Sequence, residues 1–121
     1  MKQLPDNWGQ CFDAAGLTMV NFPRRAKLCH GLGIANAPGE EGNVIKHAWI
    51  EMDGLAYDCV WGVTQSAEAY RNNLQISYVV EYTQAEMWEN WLRTDTPGPW
   101  DAKIASSGII MVKIPESCEV E

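Results

Sequence analysis

At 121 residues and 46% hydrophobic composition, the chain can build one domain with a substantial core and is too short for two, so a single domain over residues 1–121 is expected. Sixteen acidic residues against nine basic ones give a formal net charge of −7. No Lys/Arg run gathers the basic residues into a patch, which argues against nucleic acid as a partner.

The opening residues, MKQLPDNWGQ, hold no apolar signal-peptide region, and no uninterrupted apolar span is long enough to cross a bilayer. A cytoplasmic protein with no membrane partner is the expectation. Cys11, Cys29, Cys59 and Cys118 lack the density of a disulfide scaffold, so free thiols are expected. Residues Cys11 to Val20 have helical spacing, with Phe12, Ala15, Met19 and either Gly16 or Ala14 toward a core, and Asn7 or Asp6 placed to cap the start. Pro23 breaks the helix. Leu28 to Ala35 is short, apolar and glycine-punctuated, as a strand is, and Asn36 to Asn43 is an exposed loop.

Gly42 to Gly62 (GNVIKHAWIEMDGLAYDCVWG) reads as a β-hairpin, because two apolar, β-prone runs flank Asp53-Gly54, a pair suited to a type I′ turn. A two-residue loop sets Met52 opposite Leu55, Trp49 opposite Asp58 and His47 opposite Val60. Period-two alternation then projects His47, Trp49, Glu51, Ala56, Asp58 and Val60 from one face. His47 and Asp58 become diagonal neighbours about 7–8 Å apart at the backbone, within reach of each other's side chains.

Beyond the hairpin, Ser66 can cap a short helix through Leu74, and Gln75 to Tyr82 alternates as a strand. Thr83 and Glu86 form a capping box for a helix whose Met87, Trp88, Trp91 and Leu92 make an apolar stripe assigned to the core. Thr94 to Asp101, with Pro97-Gly98-Pro99, is a loop, and Ile109 to Ile114 reads as a buried strand. The order implies an α+β fold with a mainly antiparallel sheet.

Cys11 opens its helix after Gly9-Gln10, where a helix N-terminus favours an anion and a nearby imidazolium favours it more, so a thiolate is within reach at neutral pH. With His47 as base and acid and Asp58 orienting the ring, the three residues have the types a Cys-His-Asp triad requires. Oxyanion-hole candidates are the backbone N–H of Cys11 and a side-chain amide from Gln10 or Asn7.

The string WGQCFDAA resembles the G-Q-C-[WF]-x-x-A nucleophile segment of the transglutaminase-like, papain-fold superfamily. HAWIE followed by AYD is similar to that superfamily's H-x-W-[IV]-E and Asp elements. The resemblance implies a papain-like fold, an N-terminal nucleophile helix packed on an antiparallel sheet, with Cys11 as nucleophile, His47 as general base and acid, and Asp58 as orienting residue. It also implies acyl-enzyme chemistry on an amide bond of a peptide or other amide-containing substrate, without cofactor or metal. The chain is far smaller than protein-crosslinking transglutaminases and has no counterpart to their upstream oxyanion-hole tryptophan. Peptidase, amidase, deamidase and acyltransferase activities all stay open.

Other residues have plainer readings. Trp49 is either a substrate-cleft wall or shield for the imidazole, or an ordinary sheet-packing residue. Glu51 is placed toward solvent, and Glu40 and Glu41 on a loop rim. Cys29-His30 could suggest zinc, but no C-x-x-C pair exists and adjacent strand residues point to opposite faces, so a structural role is expected. Cys59 faces away from the triad and Cys118 lies in a polar tail. The alternative function is a catalytically silent binding or inhibitory module on the same fold.

Overall fold

The computed structural model describes residues 11–34, 44–60, 62–107 and 109–110. Its centre is the hairpin of β2 (Val44–Met52) and β3 (Leu55–Asp58). Asp53 and Gly54 both adopt left-handed conformations, with φ of 54° and 80°, as a type I′ turn demands. The twist of that turn matches the strands, and Met52 lies opposite Leu55, Glu51 opposite Ala56 and Ile50 opposite Tyr57. Arg25 grips the Asp53 carboxylate from outside, with Nε 3.0 Å from Oδ1 and Nη2 2.9 Å from Oδ2.

β1 (Lys27–Ile34) pairs with the full length of β2, from Lys27 opposite Glu51 to Ile34 opposite Val44. β5 (Tyr78–Tyr82) and β4 (Val63–Ser66) complete an antiparallel sheet in the order β4-β3-β2-β1-β5, and the two-residue β6 (Ile109–Ile110) runs parallel to Ile45 and Lys46 of β2. The fold is thus α+β on an antiparallel sheet. Residues 111–114 of the expected last strand lie outside the described residues.

The hairpin stops earlier than a regular ladder would. Pairing ends at Ile50 with Tyr57, and β3 ends at Asp58. There the carboxylate Oδ1 accepts the N–H of Val60 at 3.0 Å, while the Asp58 carbonyl accepts the N–H of Gly62 at 2.9 Å. A side chain that bonds the backbone two residues ahead turns the chain away, so His47 never pairs with Val60. The freed flank of β2 is taken by β6, leaving His47, Ala48 and Trp49 between two partner strands. β4 has no counterpart among the expected elements, because the four residues VTQS carry almost no apolar signal.

Helices cover both faces of the sheet. α1 (Cys11–Met19) buries Cys11, Phe12, Ala15, Gly16 and Met19. Gly16, not Ala14, is the fully buried position, because a Cβ there would lie 2.7 Å from a ring carbon of Trp91. Alternation along β1 and β2 sends His30 to the face where Phe12 packs and Trp49 to the face where Tyr70 packs. Both faces of β1 are buried, which is why it reads as a continuous apolar run.

α2 (Ala67–Asn73) is capped by Ser66, whose hydroxyl accepts the N–H of Ala69 at 3.1 Å. β5 starts three residues later than the alternation suggests, since Gln75 takes a φ of 50° and the Ile76 N–H closes back onto the Arg71 carbonyl. α3 (Gln84–Thr94) opens on the full Thr83–Glu86 capping box. Its stripe is narrower than expected: Met87 is buried and Trp91 partly so, whereas Trp88 is 42% and Leu92 80% exposed. Each of those two lies about 100° around the helix from its buried predecessor, outside the contact face. α4 (Ala102–Ser106), too short to show a period, is capped by Asp101. No described helix is long and apolar enough to cross a membrane.

Candidate functional site

His47 and Asp58 meet in the interior. His47 Nε2 lies 2.7 Å from Asp58 Oδ2, and both side chains are essentially inaccessible to solvent. The same Oδ2 accepts the Tyr70 hydroxyl at 2.5 Å, and Oδ1 holds the Val60 N–H. A buried carboxylate is tolerable only when donors surround it. Here they come from β2, from α2 and from the turn that follows β3.

Cys11, the first described residue of α1, is buried, and its sulfur lies near enough to the His47 imidazole to add to its electrostatics. Burial works against a charge on the imidazole, but Asp58 and then the Cys11 sulfur outweigh it through charge and hydrogen bonds. The pKa of His47 is raised to about 10. The imidazole is therefore cationic at neutral pH, paired with the Asp58 carboxylate.

Trp49 is completely buried and stacks on His47, with ring centroids 6.3 Å apart and planes 20° from parallel. Its other neighbours are the Tyr70 ring, at 5.3 Å, and Gly31, where a Cβ would come within 2.7 Å of the indole. The indole is thus enclosed in the sheet face beside the imidazole. Glu51 does not face solvent as expected: Oε2 accepts the Trp49 Nε1–H at 2.8 Å, and Arg71 binds both carboxylate oxygens at 2.7 and 2.9 Å. Pairing with a guanidinium across the sheet face outweighs hydration for a carboxylate already beside an indole donor.

Tyr70 and Arg71 escape sequence reasoning. Ser66 signals the helix that bears them, but nothing in its spacing relates position 70 to position 58. Of the other expected site residues, Gln10 and Asn7 lie outside the described residues, as do Glu40, Glu41 and Cys118.

Cys29 and His30 do point to opposite faces of β1. Burial raises the Cys29 thiol pKa well above its usual value. His30 sits among Phe12, Trp100 and Tyr82, with centroids 4.7, 5.0 and 5.1 Å away. Neither of its ring nitrogens has a hydrogen-bond partner among the described residues, and burial lowers its pKa to about 3. Cys59 is half-buried in a cavity of about 310 Å³ that also touches Thr18, Phe22 and Tyr57. Burial raises its pKa, against the pull of a hydrogen bond from Thr18. Among the described residues no three His, Cys, Asp or Glu side chains gather as metal ligands would.

No family model, no curated protein and no solved structure matches this chain.

Proposed function

We propose that the protein is a thiol hydrolase or acyltransferase of papain-like, transglutaminase-like fold, acting on amide bonds through Cys11, His47 and Asp58. The observation that carries this reading is the buried imidazole of His47, bonded to the Asp58 carboxylate and made more positive by the nearby Cys11 sulfur. An imidazolium near a sulfur nucleophile can supply the proton that an amide leaving group needs.

In the first step the Cys11 sulfur attacks the amide carbonyl carbon, a C–S bond forms, and the carbonyl electron pair moves to oxygen. The backbone N–H of Cys11 is the candidate donor to that oxyanion. Collapse breaks the C–N bond, His47 gives its proton to the departing nitrogen, and a thioester remains. Water, or an amine in transfer, then attacks the thioester. His47 takes the attacking group's proton, the C–S bond breaks, and the thiolate and imidazolium are restored. Asp58 stays ionised and keeps the ring oriented.

Iodoacetamide labelling resolved by peptide mass, together with a panel of amide acyl donors, tests the proposal. Cys11 is expected to alkylate ahead of Cys29 and Cys59, and Cys11→Ala and His47→Ala each to abolish turnover. Full turnover in a Cys11→Ala preparation would overturn it. One observation favours the second reading, a binding or inhibitory module: α1 and α3 leave Leu17, Trp88 and Leu92 exposed. Ordinary Cys11 reactivity with no turnover would select that reading.

A further inference from the structure

α2 is tied to the hairpin that carries Asp58. Its cap, Ser66, pairs with Leu55 as the last residue of β4, and the other end of β4 pairs Val63 with Asp58. Two successive α2 residues then reach inward to different parts of the site. Tyr70, completely buried, donates to Asp58 Oδ2, while Arg71 holds Glu51 and through it the indole that backs His47.

We propose that Tyr70 is a positioning residue for the His47–Asp58 pair: its phenol fixes the Asp58 carboxylate against His47 and, by sharing Oδ2, tempers the charge offered to the imidazole. The inference rests on the reading of Cys11, His47 and Asp58 as a working site. A buried phenol needs a partner for its O–H, and 2.5 Å is the short range expected when the acceptor is a carboxylate. The bond has a direction of effect. While the imidazole is protonated, its charge already balances Asp58. Once the proton leaves, the carboxylate loses that balancing charge and the phenol stabilises it more. Tyr70 therefore makes His47 a better proton donor to a leaving group.

Among the described residues, the other ionisable groups near the pair come from several elements. Cys11 approaches from α1, and Cys59 follows β3 with Thr18 against it. Glu51 on β2 is held by Arg71, which also reaches Glu81 of β5 at 3.1 Å.

The test is the titration of His47 in the full-length protein, followed by imidazole NMR, in wild type, Tyr70→Phe and protein with 3-fluorotyrosine at position 70. Loss of the hydroxyl should raise the His47 midpoint by about one pH unit and lower turnover about tenfold. The more acidic fluorophenol, a stronger donor of nearly the same shape, should move the midpoint downward and serves if Tyr70→Phe does not fold. A purely structural tyrosine would change the melting temperature and leave both midpoints at the wild-type value, which would overturn the proposal. The NMR readout does not depend on turnover, so an inactive wild type would count against the catalytic reading while still deciding the role of Tyr70.

Discussion

His47 Nε2 and Asp58 Oδ2 are 2.7 Å apart although the strands bearing them cease to pair at Ile50 and Tyr57. The contact is made just past the end of the ladder, where Asp58 uses its other oxygen to turn the chain at Val60. One carboxylate thus ends a strand and orients an imidazole.

Asp58→Asn removes the charge and keeps the shape. Turnover should fall by about 10⁴-fold and Cys11 should alkylate more slowly, because a neutral amide neither stabilises the imidazolium nor holds its ring. Breaking a buried charged pair should also cost about 3–5 kcal/mol, read from the denaturant midpoint. Unchanged Cys11 reactivity in a folded variant would show that Asp58 has no part in activating the thiol.

Gly54→Ala separates fold from site. Gly54 has a φ of 80°, and a Cβ added there would meet nothing within 4 Å, so the only penalty is backbone strain. A loss of about 1–2 kcal/mol in stability is expected, with Cys11 alkylation kept at the wild-type rate. A selective loss of Cys11 reactivity would mean the turn does more than set register.

Gly31→Ala should do the reverse. The added methyl would lie 2.7 Å from the Trp49 ring, in a sheet face closed by α2, and the indole cannot yield without disturbing His47. Overpacking should cost about 1–3 kcal/mol. Tryptophan fluorescence and the His47 titration should change together, and a shift in only one would uncouple the stack from the imidazole.

The two histidines should give stability opposite slopes with pH. His30 titrates near 3 when folded and near 6.5 when unfolded, so between those values the unfolded chain binds the extra proton. Stability should therefore fall as pH drops below about 6.5, by up to about 1.4 kcal/mol per unit. His47 titrates near 10 when folded, so its contribution is full below about 6.5 and is lost as pH rises toward 10. Denaturant midpoints across pH 4–9 check this, with His30→Leu expected to flatten the acid limb alone. Because the slope is the readout, any packing loss in that variant does not confuse the result.

Local chemistry was legible in the residues themselves. Asp53-Gly54 demands left-handed backbone, Ser66 and the Thr83–Glu86 pair cap helices, and alternation in KHAWIE places His47 and Trp49 together. Each rests on interactions between residues a few positions apart, which spacing encodes. The end of β3 was less so, since a carboxylate's choice between ladder and turn depends on what competes for the strand flank, here β6. The pairing of Glu51 with Arg71, the cage around His30 and the narrow stripe of α3 follow from which surfaces meet, and spacing does not encode that. Tyr70 is the clearest case. Nothing in the sequence joins it to Asp58, twelve residues away, and the bond exists only because β4 folds α2 back over the sheet. The residues determined which groups were at hand, and tertiary packing, by excluding water and closing distance, decided which of them act on one another.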